Sequence, residues 1–139
     1  MEVEVRGVAD AKIALAKLND KARRAIKQAL GEASQQVVDT AKMNVRNGHS
    51  RTGELANSIN WRRVDDETTA VFASANHAPY HEFGTGQRGK ATYTKPPKSD
   101  ISFSENWAGR PAYPFLHPAV KQNEKRIRQT VGEAIERSI

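Results

Sequence analysis

Residues 21–46, KARRAIKQALGEASQQVVDTAKMNVR, decide the fold. Ala22, Ile26, Ala29, Leu30, Ala33, Val37, Ala41 and Val45 recur at intervals of three and four or their sums. Lys21, Arg24, Lys27, Gln28, Glu32, Gln35, Asp39 and Lys42 fall largely elsewhere. That is an amphipathic helix with one apolar stripe. At about 1.5 Å per residue it spans roughly 39 Å. Half of the stripe is alanine, so whatever packs there comes close. Asp20 can cap its start, and Asn47-Gly48 is a good stop.

Outward from this helix, residues 2–6 (Glu-Val-Glu-Val-Arg) alternate strictly and predict a half-buried strand ended by Gly7. Residues 9–18 read as a short helix with Asp10 as its cap. Downstream, residues 49–57 form a connection with room for a helical turn. Residues 58–64 and 69–74 predict two strands, and Asp65-Asp66-Glu67-Thr68 the polar turn of an antiparallel hairpin. Residues 86–111, punctuated by Gly86, Gly89, Pro96, Pro97, Gly109 and Pro111, predict a long irregular loop. Residues 115–138 close the chain as a second amphipathic helix, with Leu116, Ala119, Val120, Ile127, Val131, Ala134 and Ile135 on its stripe. Pro118 fits only in its first turn. The expectation is one α+β domain over residues 1–139, with two long amphipathic helices on a small antiparallel sheet and a long loop at 86–111.

Composition narrows the function classes. Cysteine is absent, which removes disulfides, thiolate metal sites and cysteine nucleophiles. Met1-Glu2-Val3-Glu4-Val5 is acidic where a secretion signal is basic, and no run approaches the roughly 20 apolar residues of a membrane span. A soluble protein made in the cytoplasm is expected, with no membrane contact. The net charge of +6 is unevenly placed. Asp65, Asp66, Glu67 and Glu82 stand in a stretch, 64–85, without Lys or Arg, between basic stretches on both sides. Such a balance permits contact with nucleic acid or any acidic surface, and an acidic block between basic ones also suits head-to-tail pairing of identical subunits.

Catalytic and metal signatures are weak. His77 and His81 have the spacing that aligns two imidazoles on a helix face beside Glu82, but Pro79 between them argues against that helix. No serine has a Gly-x-Ser-x-Gly frame. Gly84-Thr85-Gly86-Gln87-Arg88-Gly89 lacks the Lys-Ser/Thr of a phosphate loop. No cofactor, metal or catalytic residue is expected, and the chain reads as a non-enzyme. More informative is the 86–110 segment, where Arg88, Lys90, Lys95, Lys98 and Arg110 interleave with Tyr93, Phe103 and Trp107. Single-stranded nucleic-acid surfaces use that mixture, and protein interfaces do too. A segment that orders on a partner protein explains exposed aromatics in a Gly/Pro-rich stretch most simply.

Three stretches, in order, carry a resemblance. The first is Arg51-Thr52-Gly53-Glu54-Leu55-Ala56-Asn57-Ser58-Ile59, after the basic helix. The second is Ala78-Pro79-Tyr80-His81-Glu82-Phe83-Gly84-Thr85, after the hairpin. The third is Pro111-Ala112-Tyr113-Pro114-Phe115-Leu116-His117-Pro118-Ala119, opening the last helix. Together the chain resembles the tail-component, or tail-completion, family of long-tailed bacteriophages, to which the minor tail protein Z of phage lambda is related. It departs by its longer segment between Thr85 and Pro111.

Physically, Gly53 and Gly84 read as special backbone positions, and Leu55, Ile59, Tyr80 and Phe83 as core or near-core anchors. Glu82 needs a partner if buried, with Arg51 a candidate. Pro114 and Pro118 set the start of the last helix, beside Phe115 and Leu116. The resemblance implies a structural virion protein that completes the tail and joins it to the head connector. It further implies a ring-forming or ring-joining subunit, close to DNA in the channel, with tail-tube, terminator and connector proteins as partners. A tail terminator or head–tail adaptor is the neighbouring alternative, and a basic nucleic-acid-binding protein the alternative from another class.

Overall fold

The computed structural model describes residues 1–6, 20–47, 53–92 and 103–138. The elements run β1 (Glu2–Arg6), α1 (Asp20–Asn47), α2 (Glu54–Asn57), β2 (Ile59–Asp65), β3 (Thr68–Ala73), α3 (Ala78–Phe83), α4 (Gly86–Thr92) and α5 (Leu116–Ser138). The helix expected at 9–18 lies outside the described residues.

Helix α1, 28 residues long, is the centre of the molecule. All eight apolar positions of its stripe are buried, and so are Gly31, Ser34 and Val38 beside them. The buried face is wider than one stripe because α1 packs against α5, against strands β2 and β3, and against α2. Toward α5, Asn44 Nδ2 donates to the Phe115 carbonyl at 3.1 Å, and Asn123 Nδ2 donates to Thr40 Oγ1 at 3.0 Å. Toward the sheet, the Ser34 and Thr69 hydroxyls lie 2.5 Å apart, and Ser34 also donates to the Leu30 carbonyl. Gly31 lets the sheet approach: a Cβ there would lie 3.1 Å from Arg63 Nη2 and 3.2 Å from the Trp61 ring. The Trp61 indole N–H then donates to Gln35 Oε1 at 3.2 Å.

The sheet is antiparallel in the order β1-β3-β2, with Val3 opposite Val71 and Trp61 opposite Val71 from the other side. Its hairpin is the expected one, with the turn tightened to Asp66 and Glu67 and a bulge at Val64 between Arg63 and Asp65. Val5, Val71, Ala73 and Ile59 face the helices and join Ile26, Leu30, Val37, Val45, Leu55, Phe115, Leu116, Val131 and Ile135 in one core. On the opposite face, Arg62 grips both carboxylate oxygens of Glu2, at 2.7 and 2.9 Å, across β3. The architecture is α+β, two long helices against a small antiparallel sheet.

Candidate functional site

Pro79 stands in the first turn of α3, where its missing N–H costs nothing, so the proline starts the helix instead of forbidding it. The sequence expectation of no helix between His77 and His81 is corrected accordingly. No group of three or more His, Asp or Glu suited to a metal ion occurs among the described residues.

The helix exists to place Glu82. This side chain is fully buried, and its Oε2 accepts the Phe115 N–H at 2.6 Å. Its Oε1 accepts the N–H groups of Leu116 at 3.0 Å and His117 at 2.8 Å, with the His117 ring Nδ1 at 3.0 Å. These backbone donors open α5 and have no partner inside the helix. A carboxylate from a remote element therefore caps α5, at the end where the helix dipole favours negative charge. Arg51, the partner expected for Glu82, lies outside the described residues, and the backbone of α5 fills that role. Around the cap, the Tyr113 N–H donates to the His81 carbonyl at 2.9 Å. The His81 ring packs on Phe115 at a 5.7 Å centroid distance, and Phe83 on His117 at 5.7 Å.

After Phe83 the chain leaves this platform and returns to it through a clasp. Thr85 and Arg110 exchange backbone hydrogen bonds at 2.9 and 3.0 Å, and Thr85 Oγ1 takes a second share of the Arg110 N–H. The Gln87 and Arg88 N–H groups, at the start of α4, donate to the carbonyls of Trp107 and Ala108, each at 2.9 Å. Thr92 Oγ1 accepts the Ala112 N–H at 2.6 Å. Glycine makes this closeness possible. Gly84 sits at φ 73°, ψ −176°, and a Cβ on it would lie 2.7 Å from Ala112 N, Arg110 O and Gly89 Cα. At Gly109, φ 67°, a Cβ would collide with the Thr85 carbonyl.

The irregular loop expected at 86–111 thus begins as a helix, Gly86–Thr92. Its two glycines hid it from a propensity reading, and the carbonyls that satisfy its first turn come from residues about 20 positions later. Of the expected contact residues, Arg88 and Lys90 are exposed on α4, and Trp107 (58% exposed) and Arg110 stand on the returning arm. The clasp brings Arg88, Trp107 and Arg110 onto neighbouring, hydrogen-bonded backbone. Phe103 is different: it is half-buried, its ring filling the space where a Gly89 Cβ would stand. Tyr93, Lys95 and Lys98 lie outside the described residues.

The motif residues sort similarly. Leu55, Ile59, Phe83, Phe115 and Leu116 are buried, Thr85 holds the clasp, Gly53 precedes α2 in a left-handed conformation, and Pro118 sits in the first turn of α5. Pro114 is exposed, and Thr52, like Arg51, falls outside the described residues. Tyr80 is corrected: it is 64% exposed, because the inward face of α3 is taken by Ala78, Glu82 and Phe83. Sequence reasoning missed the Ser34–Thr69 pair and buried Asn123. The one available signal was a polar residue recurring inside an apolar stripe.

A buried carboxylate thus keys the start of α5, and a glycine-built clasp carries the exposed side chains of Arg88, Trp107 and Arg110. Residues 10–84 match the family model described as Bacteriophage HK97-gp10, putative tail-component. The chain belongs to this HK97-gp10-like family, and is a structural component of the bacteriophage tail. No curated protein and no solved structure matches the chain. No helix among the described residues is long and apolar enough to cross a membrane.

Proposed function

We propose that this tail component completes the tail and joins it to the head connector, as a subunit that forms or enters a ring at the head–tail interface. The observation that carries the reading is Trp107, exposed on a clasp whose hydrogen-bonded backbone also carries exposed Arg88 and Arg110. An exposed tryptophan with arginines on the neighbouring backbone supplies the residue types that dominate interface hot spots. Because the backbone that carries Arg88, Trp107 and Arg110 is hydrogen-bonded before binding, docking does not have to order these three positions. Basic groups around it speed and orient the encounter. Terminator or connector proteins are the partners, with Lys90 and Phe103 as further contacts, while Tyr93, Lys95 and Lys98, expected contacts from the sequence, lie outside the described residues. The mechanism is assembly, and no step of it calls for a cofactor.

The test is an infection in which the chain carries Trp107→Ala together with Arg88→Ala. Filled heads and finished tails are expected to accumulate unjoined, visible by electron microscopy, while the purified variant keeps the melting temperature of the parent. Normal yields of joined particles would overturn the role. Binding of the purified parent to DNA with a steep salt dependence, without recruitment to tails or connectors, would replace it with the nucleic-acid reading.

A further inference from the structure

Strand β2 is an edge of the sheet. The Ser74 N–H donates to the Ser58 carbonyl at 3.2 Å, and backbone groups alternate sides along an antiparallel strand. The groups of Asn60 and Arg62 therefore turn toward β3, and those of Ile59, Trp61 and Arg63 turn outward. Among the described residues, this outward row makes one hydrogen bond, from the Trp61 N–H to Asn60 Oδ1 at 2.8 Å. The bulge at Val64 leaves the strand regular from Ile59 to Arg63.

Beside the open row lies a cation without a counter-charge. The Arg63 guanidinium rests between the Trp61 ring, 5.5 Å from its centroid, and helix α1 at Gly31. Its Nη1 is buried and has no hydrogen-bond partner. The neighbouring cations are matched: Lys27 stands 3.8 Å from Asp66, and Arg62 holds Glu2. No carboxylate among the described residues stands within ion-pair distance of Arg63. Glycine inside a helix is unfavourable, and so is a buried donor left unsatisfied. Both fall where an uncompensated positive charge lies against an open strand edge.

We propose that the β2 edge takes an extended segment of another tail protein as a fourth strand, and that an aspartate or glutamate of that segment pairs with Arg63. The inference rests on the chain being part of the tail, and is independent of the clasp and of head joining. Backbone donors and acceptors at strand spacing recognise an extended peptide. Outward carbonyls repel a phosphate chain, which favours protein over nucleic acid at this edge. The residue opposite Arg63 lies on the same face of the extended sheet. A carboxylate there reaches the guanidinium once its end turns outward from Gly31. The residue opposite Trp61 meets the indole, where an apolar side chain fits.

The test places a photo-reactive benzoylphenylalanine at the exposed position of Asn60 during infection, cross-links the assembled tails and sequences the product. The expected product joins the chain to another tail protein, within a segment that carries Asp or Glu. Arg63→Gln is expected to lower its yield roughly tenfold. Arg63→Lys should keep most of it, and both variants should melt close to the parent. If Arg63→Gln melts far lower, Arg63→Glu combined with Lys in place of the partner's carboxylate decides. Restored product then supports the contact, and continued loss overturns it. A product that joins two copies of the chain overturns the proposal. So does a product with DNA, with a segment lacking a carboxylate, or one that Arg63→Gln leaves unchanged. Tails that contain the chain and give no product sink the edge contact and leave the tail assignment standing. Tails assembled without the chain would sink the tail assignment, and the edge contact with it.

Discussion

Glu82 and Phe115 stand 33 positions apart, and the carboxylate of the first accepts the backbone N–H of the second at 2.6 Å inside the core. With the two bonds from Leu116 and His117, this contact fixes where the last helix begins. Glu82→Ala leaves buried backbone donors unsatisfied, at a cost of about 3 kcal/mol. Urea unfolding is expected to show that loss with an unchanged slope. Glu82→Gln keeps one acceptor and should lose about half as much; equal stability of all three proteins would refute the cap.

Gly84→Ala tests the clasp. The new Cβ would meet backbone atoms at 2.7 Å, from a residue already at φ 73°. A destabilisation of about 2 kcal/mol or more is expected. Amide exchange at Gln87, Arg88 and Arg110 should accelerate well before exchange in α1. Uniform acceleration would mean that the clasp is no separate unit.

The buried Ser34–Thr69 pair predicts non-additivity. Ser34→Ala strands the Thr69 hydroxyl and is expected to cost about 1–3 kcal/mol. The double variant Ser34→Ala with Thr69→Val removes both polar groups, so it should cost less than the sum of the two single changes. Additive losses in chemical denaturation would argue that the hydroxyls do not interact.

By contrast, Arg62→Ala should change stability by less than about 1 kcal/mol, since the Arg62–Glu2 pair is half exposed and screened. A larger loss by thermal unfolding would show that the pair holds the sheet face together, over Ala70, more tightly than its exposure implies.

The long elements were legible because burial repeats with their periodicity: the stripes of residues 21–46 and 115–138 and the hairpin all correspond to observed elements. What escaped was set by contacts distant in sequence. Helix α4 contains Gly86 and Gly89, poor helix formers, and the carbonyls of Trp107 and Ala108 satisfy its first turn. Tyr80 sits in an apolar-looking run yet faces outward, because a helix of six residues has only one inward face and Glu82 occupies part of it. The need of Glu82 for a partner was readable, while its bonding to the backbone of a helix more than 30 residues away was not. Ser34 and Asn123 broke apolar stripes visibly, but only the structure pairs them with Thr69 and Thr40.

The Thr85–Arg110 bridge has an evolutionary consequence. Residues 25 positions apart are held face to face, and the bonds of Gln87 and Arg88 to Trp107 and Ala108 repeat the closure, so both ends of the segment are fixed whatever the length of chain between them. Doubling such an excursion costs only about 0.6 kcal/mol in closure entropy. A longer or shorter insert would therefore cost the helices and sheet beneath little stability, which is the freedom evolution has at this place in the chain.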